Sequence, residues 1–412
     1  MVRRTAVAAL SIALLLVLAG CGGSQVTTAR WDHSPDGDGA TSPSSDPDGI
    51  EVSGGNLSVD PDAVWERVLA LRGLDADPPS LLFLDDSGEG PDGSLSAGAP
   101  APGFRRALGV DAAAGNGTLL GYVESPYIVH LTPAATAAGP STVEYVLAHE
   151  FVHVTQFRVG AYGSVYEVVP ESHDGETAGG AVTEGAAEYV AIRYVDRHLP
   201  ANSSAARRAN ATAWRRSYLN ASGERRLSLM TYYFGLRHVD RRVTGPADLD
   251  AVYRTPPRTT EALIHGDAPG SRYPPSLTVD RRGDGEWESV AEPTRMGELF
   301  VRGVLGTELP EERAAAGADG WGNDRRLALA DGDARGYVWA LRFDDGANAT
   351  EFAAAFGAYL NATDGGPREA NGVRFRVERP RPGLVVLVFG DGSFRSTVSV
   401  DAPRERYVVV ET

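Results

Sequence analysis

Lysine is absent from this chain of 412 residues: all 39 basic residues are Arg, set against 55 Asp and Glu, for a formal net charge of −16. That balance makes nucleic acid an implausible partner, because a polyanion gains nothing from a carboxylate-coated surface. It is the surface expected of a protein in concentrated salt, where screening removes self-repulsion and the carboxylates keep the chain hydrated. Cysteine is nearly absent as well, and the single Cys21 permits no disulfide framework. Histidine is scarce, eight in all, and none follows His265, so the C-terminal part carries no imidazole metal cluster. Long apolar runs are also missing. The run from Ala6 to Leu18 follows Arg3 and Arg4, is too short for a comfortable bilayer span, and reads as the core of an export signal over residues 1–21.

Two of the few imidazoles fall together in His149-Glu150-Phe151-Val152-His153. On a helix, residues four apart share a face, so both rings can reach one ion while Glu150 projects beside them. This is the arrangement of a zinc hydrolase, with imidazoles for the metal and a carboxylate for the proton of a water. The spacing of Val143, Val146, Leu147, Phe151 and Val154 predicts that helix, and Ser141 with Glu144 reads as its capping box. A third ligand is expected on the next patterned helix, Ala181 to Tyr189, where Glu184 stands 31 residues after His153. Gly185, Ala186 and Ala187 leave room for close packing on the first helix, and Glu188 is placed to bond the outer nitrogen of a ligand His. A solvated Glu pair is the plain alternative for Glu184 and Glu188.

From about residue 118 to 265 the chain resembles the gluzincin metallopeptidases. The resemblance implies one zinc ion held by His149, His153 and Glu184, with Glu150 as general base and Glu188 behind the ligands. Thermolysin-like members carry Asp where this chain has Glu188. The glycine-rich exopeptidase motif of the aminopeptidase branch is not visible before His149, which argues against a simple aminopeptidase. That branch places a Tyr, then two residues, then a Gly on a later helix, with the Tyr as oxyanion donor, and Tyr232 in Thr231-Tyr232-Tyr233-Phe234-Gly235 fits the position. His265 is the other candidate donor, though a His closing a short helix is more often structural. The resemblance further implies a substrate-pairing edge strand at Tyr127 to Leu131, in which His130 is structural.

The remaining chain reads around this centre. Leu18-Ala19-Gly20-Cys21 resembles a lipobox, so Cys21 is the expected lipid attachment and the membrane a partner through it. The Arg pair fits twin-arginine export, although Ala6 and Val7 are less bulky than usual. Residues 22–58, rich in Gly, Ser, Asp and Pro, are expected to be an unfolded tether in which His33 is incidental. Seven of nine Asn begin a glycosylation sequon: Asn56, Asn116, Asn202, Asn210, Asn220, Asn348 and Asn361. Residues 59–270 are expected to form the metallopeptidase-like domain, mainly helical with a small upstream sheet. Within it, residues 159–179 with His173 read as a solvated connection, His198 as a helix terminus, and residues 203–226 as an exposed helix. Arg254 to His265 resembles a segment of secreted proteins that carry the same two-His helix. Residues 271–412 are expected to form a smaller α+β domain, opening on an exposed linker, with a tight turn at Gly320 to Asp324.

The fold class expected is therefore α+β, and the chain as a whole resembles a haloarchaeal family of predicted cell-surface lipoproteins. The expected activity is zinc-dependent hydrolysis of peptides or surface proteins at the outer face of the membrane. The alternative is a surface module of peptidase ancestry, its metal structural or absent, acting in envelope maintenance or adhesion. Nothing in the sequence speaks to oligomeric state.

Overall fold

The computed structural model describes residues 14–17, 49–84, 103–110, 119–266, 274–363 and 369–412. Cys21, the residues of the expected export signal other than 14–17, His33, most of the tether and Asn116 lie outside them. The fold is α+β. Four long helices form its centre: Pro61–Arg72, Pro140–Arg158, His173–His198 and Gly223–Arg242. Beside them lies a small sheet in the order Leu14–Val17, Leu119–Ser125, Ile128–Leu131, Leu81–Leu84, Glu51–Ser53. Glu51–Ser53 belongs to the stretch expected to be tether. It is ordered because Ile50 is buried and donates its N–H to Asp62 at 2.9 Å, and because the strand pairs in parallel with Leu81–Leu84.

The helix carrying His149 starts without a capping box. Gly139 precedes Pro140 at the first helical position, and Ser141 is already inside, its hydroxyl 2.9 Å from that of Ser204. Glu144 is drawn away to Tyr194 at 2.6 Å and Arg67 at 3.3 Å. Residues 159–179 are also not the expected connection. Ala161–Tyr166 is helical, and the Glu184 helix begins at His173, capped by Ser172 accepting from Gly175 N at 3.1 Å. The Gly content of this stretch serves packing: a Cβ on Gly175 would lie 2.1 Å from the Pro170 carbonyl oxygen. Residues 203–226 divide into Ser204–Arg208, Ala211–Leu219 and the start of the Gly223–Arg242 helix, with Trp214 and Tyr218 buried rather than exposed.

Gly185 does admit a close helix, but not the one expected. Its Cα faces Gly235 on the Gly223–Arg242 helix, where a Cβ would meet the Gly235 carbonyl carbon at 2.1 Å. The Gly235 carbonyl oxygen and Leu236 N, each at 2.5 Å, would be met as well, and these backbone atoms cannot yield as a flexible side chain would. Gly185→Ala is therefore expected to destabilise the fold by ~3 kcal/mol, the upper range for an overpacked core, read as a lowered midpoint of thermal unfolding at fixed salt.

The C-terminal part is built on an antiparallel sheet in the order Glu369–Ala370, Val373–Arg381, Leu384–Gly390, Ala334–Phe343, Trp321–Asp331, Glu288–Ser289. Trp321 to Asp324 opens a strand of this sheet instead of making a tight turn. Asp324 is what holds it: buried among apolar side chains, it accepts from the N–H groups of Met296 and Gly297, each at 2.9 Å, and from the indoles of Trp321 at 3.2 Å and Trp339 at 2.8 Å. The stretch expected to be a linker or exposed turn, Gly283 to Glu292, contributes edge strand Glu288–Ser289, and just before it strand Thr278–Arg282 pairs in parallel with Tyr407–Glu411.

Strand alternation divides the interior. Val385, Leu387 and Phe389 face the helices, within a core that runs continuously from Ile50 to Phe389. Leu384, Val386 and Val388 face a second cluster under the small sheet of Val279, Val408 and Val410. Phe104 bridges the two parts of the chain, with its ring 5.4 to 5.8 Å from those of Trp339, Phe389, Tyr337 and Phe300. Asp174, in the first turn of the Glu184 helix, adds a polar bridge: it pairs with Arg295 at 3.0 Å and accepts from Thr260 N at 2.8 Å and Thr260 Oγ1 at 2.6 Å.

Candidate metal centre

His149 and His153 stand one turn apart on the Pro140–Arg158 helix, and the His173–His198 helix brings Glu184 against them. One ligand atom from each lies within 4.8 Å of the others, and all three residues are buried. The two Nε2 atoms are 3.0 Å apart, and Glu184 Oε2 is 3.4 Å from that of His149 and 3.6 Å from that of His153. Two imidazole nitrogens and a carboxylate oxygen converging on one point can hold a metal ion. Glu184 Oε2 and both oxygens of Glu150 have no hydrogen-bond partner despite burial. Orphaned carboxylate oxygens are costly in an interior, and a cation would relieve that cost.

The protonation pattern of the metal-free group points the same way. Burial opposes a charge on His149, but the facing carboxylates of Glu184 and Glu188, each 3.4 Å away, and the nearby Glu150 carry the ring up to about 9. Burial pushes the Glu150 carboxyl up to about 8, against the pull of His149 and reinforced by Glu184. Glu184 is held down at about 2 because the two imidazoles outweigh its desolvation. Burial lowers His153, whose ring is therefore neutral. At neutral pH the metal-free group thus holds protons on both His149 and Glu150, where a cation would otherwise balance the carboxylates.

Behind the ligands the outer nitrogens are oriented. Glu188 Oε2 lies 3.4 Å from His149 Nδ1, while Glu188 Oε1 accepts from the Tyr145 hydroxyl at 2.6 Å and the Trp214 indole at 2.8 Å. Gln156 performs the corresponding task for His153. Its Nε2 donates to the Thr183 carbonyl at 2.8 Å and to the Tyr253 hydroxyl at 3.1 Å. A carbonyl cannot donate, so the amide nitrogen is fixed at that end. Gln156 Oε1, 2.8 Å from His153 Nδ1, therefore accepts the ring N–H, which leaves the Nε2 lone pair facing the ligand cluster. Gln156→Leu is expected to weaken metal binding about 10–100-fold, measured by competition with a chelator.

Tyr232 is buried beside the group, stacked on Trp214 with ring centroids 4.8 Å apart and 6.3 Å from the His149 ring. Burial, then the charge of Glu184 and a hydrogen bond to it, push its hydroxyl well above the ordinary phenol range. It is thus a neutral donor at the edge of the cluster. His265 is elsewhere, its Nε2 bonded to Glu298 at 3.0 Å, and His130 bonds Glu124 at 2.7 Å. His198 closes the Glu184 helix, and His173 opens it against Phe300.

Gly121 completes the setting. A Cβ there would lie 3.2 Å from Glu150 Cγ and 3.0 Å from Val146 Cγ1, so the absence of a side chain lets strand Leu119–Ser125 lie closely on the helix of His149 and Glu150. The Tyr127 to Leu131 stretch is not an edge. Ile128–Leu131 is paired on one side with Leu119–Ser125 and on the other with Leu81–Leu84, so its backbone groups are already used. It is Leu119–Ser125 that pairs outward, antiparallel with Leu14–Val17, Leu14 opposite Val123 and Val17 opposite Leu119. Sequence reasoning missed Gly121, Tyr145, Gln156 and Trp214. Only Gln156 carried a signal, as an amide one turn beyond His153 among apolar residues.

Fold and site together define an α+β protein with a buried His-His-Glu group able to hold a metal ion. Comparison with known families matches residues 288–411 to a domain of unknown function, DUF8575. No curated protein and no solved structure matches the chain. The metal group lies outside the matched residues. No helix among the described residues is long and apolar enough to cross a membrane.

Proposed function

We propose that the protein is a zinc-dependent peptidase of the gluzincin kind, exported and lipid-anchored through Cys21 at the outer face of the cell membrane. The observation that carries this reading is Glu150: a fully buried carboxylate with neither oxygen partnered, set beside two imidazoles and a third-ligand carboxylate. A purely structural metal site needs no such group, whereas a general base next to a metal does. Zinc suits the two nitrogen and one oxygen donors, and when bound would supply Lewis-acid polarisation of a carbonyl.

The other roles fall to the chain's own residues. His149, His153 and Glu184 hold the ion; Glu188 and Gln156 orient the rings. Glu150, whose ionised form a bound cation would favour against burial, would take a proton from the attacking water as its oxygen adds to the carbonyl carbon, and would pass that proton to the amine as the C–N bond breaks. Tyr232 donates to the developing oxyanion. Pairing of Leu14–Val17 along Leu119–Ser125 shows that this side of the strand accepts an extended segment, which favours an extended peptide as substrate.

One observation favours the second reading, a surface module with a structural metal: His149, His153 and Glu150 are closed off from solvent and Glu184 is only 7% exposed. The test is zinc content together with hydrolysis of a casein or peptide library in molar salt. Zinc with turnover that disappears in Glu150→Gln supports the peptidase, and zinc without turnover supports the module.

A further inference from the structure

From Arg197 to Gly223 the chain contains Arg197, Arg207, Arg208, Arg215 and Arg216 and no Asp or Glu, within a protein whose formal net charge is −16. This stretch includes the Ala211–Leu219 helix, which packs along the Gly223–Arg242 helix. Between the two lies a groove of about 360 Å³ lined by Arg215, Arg216, Arg237, Thr212, Asn220 and Tyr233. All three Arg side chains are exposed, and no acidic residue lines the groove.

The neighbouring carboxylates are engaged elsewhere. Asp240 pairs with Arg193 at 3.3 Å, Glu224 with Arg105 at 3.1 Å, and Glu311 with Arg226 at 2.7 Å and with Arg302. None of the described carboxylates pairs with Arg215, Arg216 or Arg237. Arg237 is instead steadied by the buried Tyr233, whose hydroxyl accepts from Nη1 at 3.3 Å. The positive charge is felt by its neighbours: burial and then Arg237 depress the pKa of Arg241, one turn on. Elsewhere the enclosed guanidiniums are matched, Arg72 by Asp250 and Arg295 by Asp174, each at 3.0 Å.

We propose that this groove is an anion site, for a small ligand that presents carboxylate or phosphate oxygens to the three guanidiniums and the Thr212 hydroxyl. Its volume is at the small-ligand end of binding pockets. The planar fork of Arg matches both oxyanions by paired hydrogen bonds, and such contact pairs survive salt that screens longer-range attraction. The site is independent of the metal centre in its chemistry, although Trp214 on the same helix turns inward to hold Glu188.

The experiment is a calorimetric titration of the full chain with inorganic phosphate and, separately, with citrate, at constant ionic strength. It compares the native protein, Arg216→Gln/Arg237→Gln, and a control of equal charge, Arg404→Gln/Arg406→Gln, on the far hairpin. All four positions are exposed, so folding does not depend on them. Saturable binding that weakens at least tenfold in the groove variant and is unchanged in the control is expected. Citrate alone would assign carboxylate ligands, phosphate alone phosphorylated ones. Absence of saturable binding by both probes, or equal weakening in the two variants, overturns the assignment.

Discussion

Glu150→Gln is expected to lower peptide hydrolysis by about 10²–10⁴-fold, the usual worth of a positioned general base, while zinc content stays at the native level. The substitution is nearly isosteric and removes only the titrating oxygen. Glu150 makes no hydrogen bond that the amide would break, and burial already opposes its charge. Thermal stability should therefore be equal to that of the native chain or higher, which separates lost chemistry from lost fold. Native-level turnover in this variant would remove Glu150 from the proton path. A native protein that holds zinc but turns over nothing would hand the site to the structural reading.

Glu184→Ala and His149→Ala are each expected to abolish zinc retention, read by elemental analysis after dialysis of the chain beginning beyond Cys21. Removing either leaves two ligands for an ion that requires at least three from the protein. Their metal-free behaviour should differ. Glu184 is the anion that keeps the proton on His149, so its loss lets that ring fall from about 9 back toward the range of a buried imidazole. For native His149 the sign follows from a folded value above the unfolded 6.5: its contribution to metal-free stability is complete below about pH 6.5 and is lost as pH rises through about 9. Zinc, which displaces that proton, should bind more tightly over the same rise. Full retention of zinc by Glu184→Ala would refute the ligand set.

How much of this was legible in the sequence depends on whether a residue's role is local. His149 and His153 announce themselves because helix geometry alone places them on one face, and Glu184 because the next helix is patterned. The tightest contacts were hidden because they are made between distant segments. Asp324 looks like a turn residue beside two Gly, yet it caps one segment and holds two indoles. Gly121 looks like a weak point in a strand, and it lets the strand lie closely against Glu150. Gly175 and Gly179 made a helix read as a loop, because a Gly that admits a neighbour and a Gly that frees the backbone are the same letter. Ser141 failed as a cap for a related reason: Pro140 had already taken the first helical position.

Phe104 bears on how the block of residues 288–411 can be inherited. Its sheet has two apolar faces; one lies under the small sheet of Val279 and Val408, and the other, with Trp339 and Phe389, is covered by the block's own helices Glu298–Leu305 and Gly346–Ala362 and, from upstream, by Phe104. Asp174 and Thr260, both upstream, complete the polar contacts of Arg295 and Leu299 N. The block is thus not a portable cassette. A chain that acquired it by recombination would also have to bring an aromatic ring for the place of Phe104 and a buried acid for Arg295, or leave a gap beside Trp339 and an unpaired guanidinium.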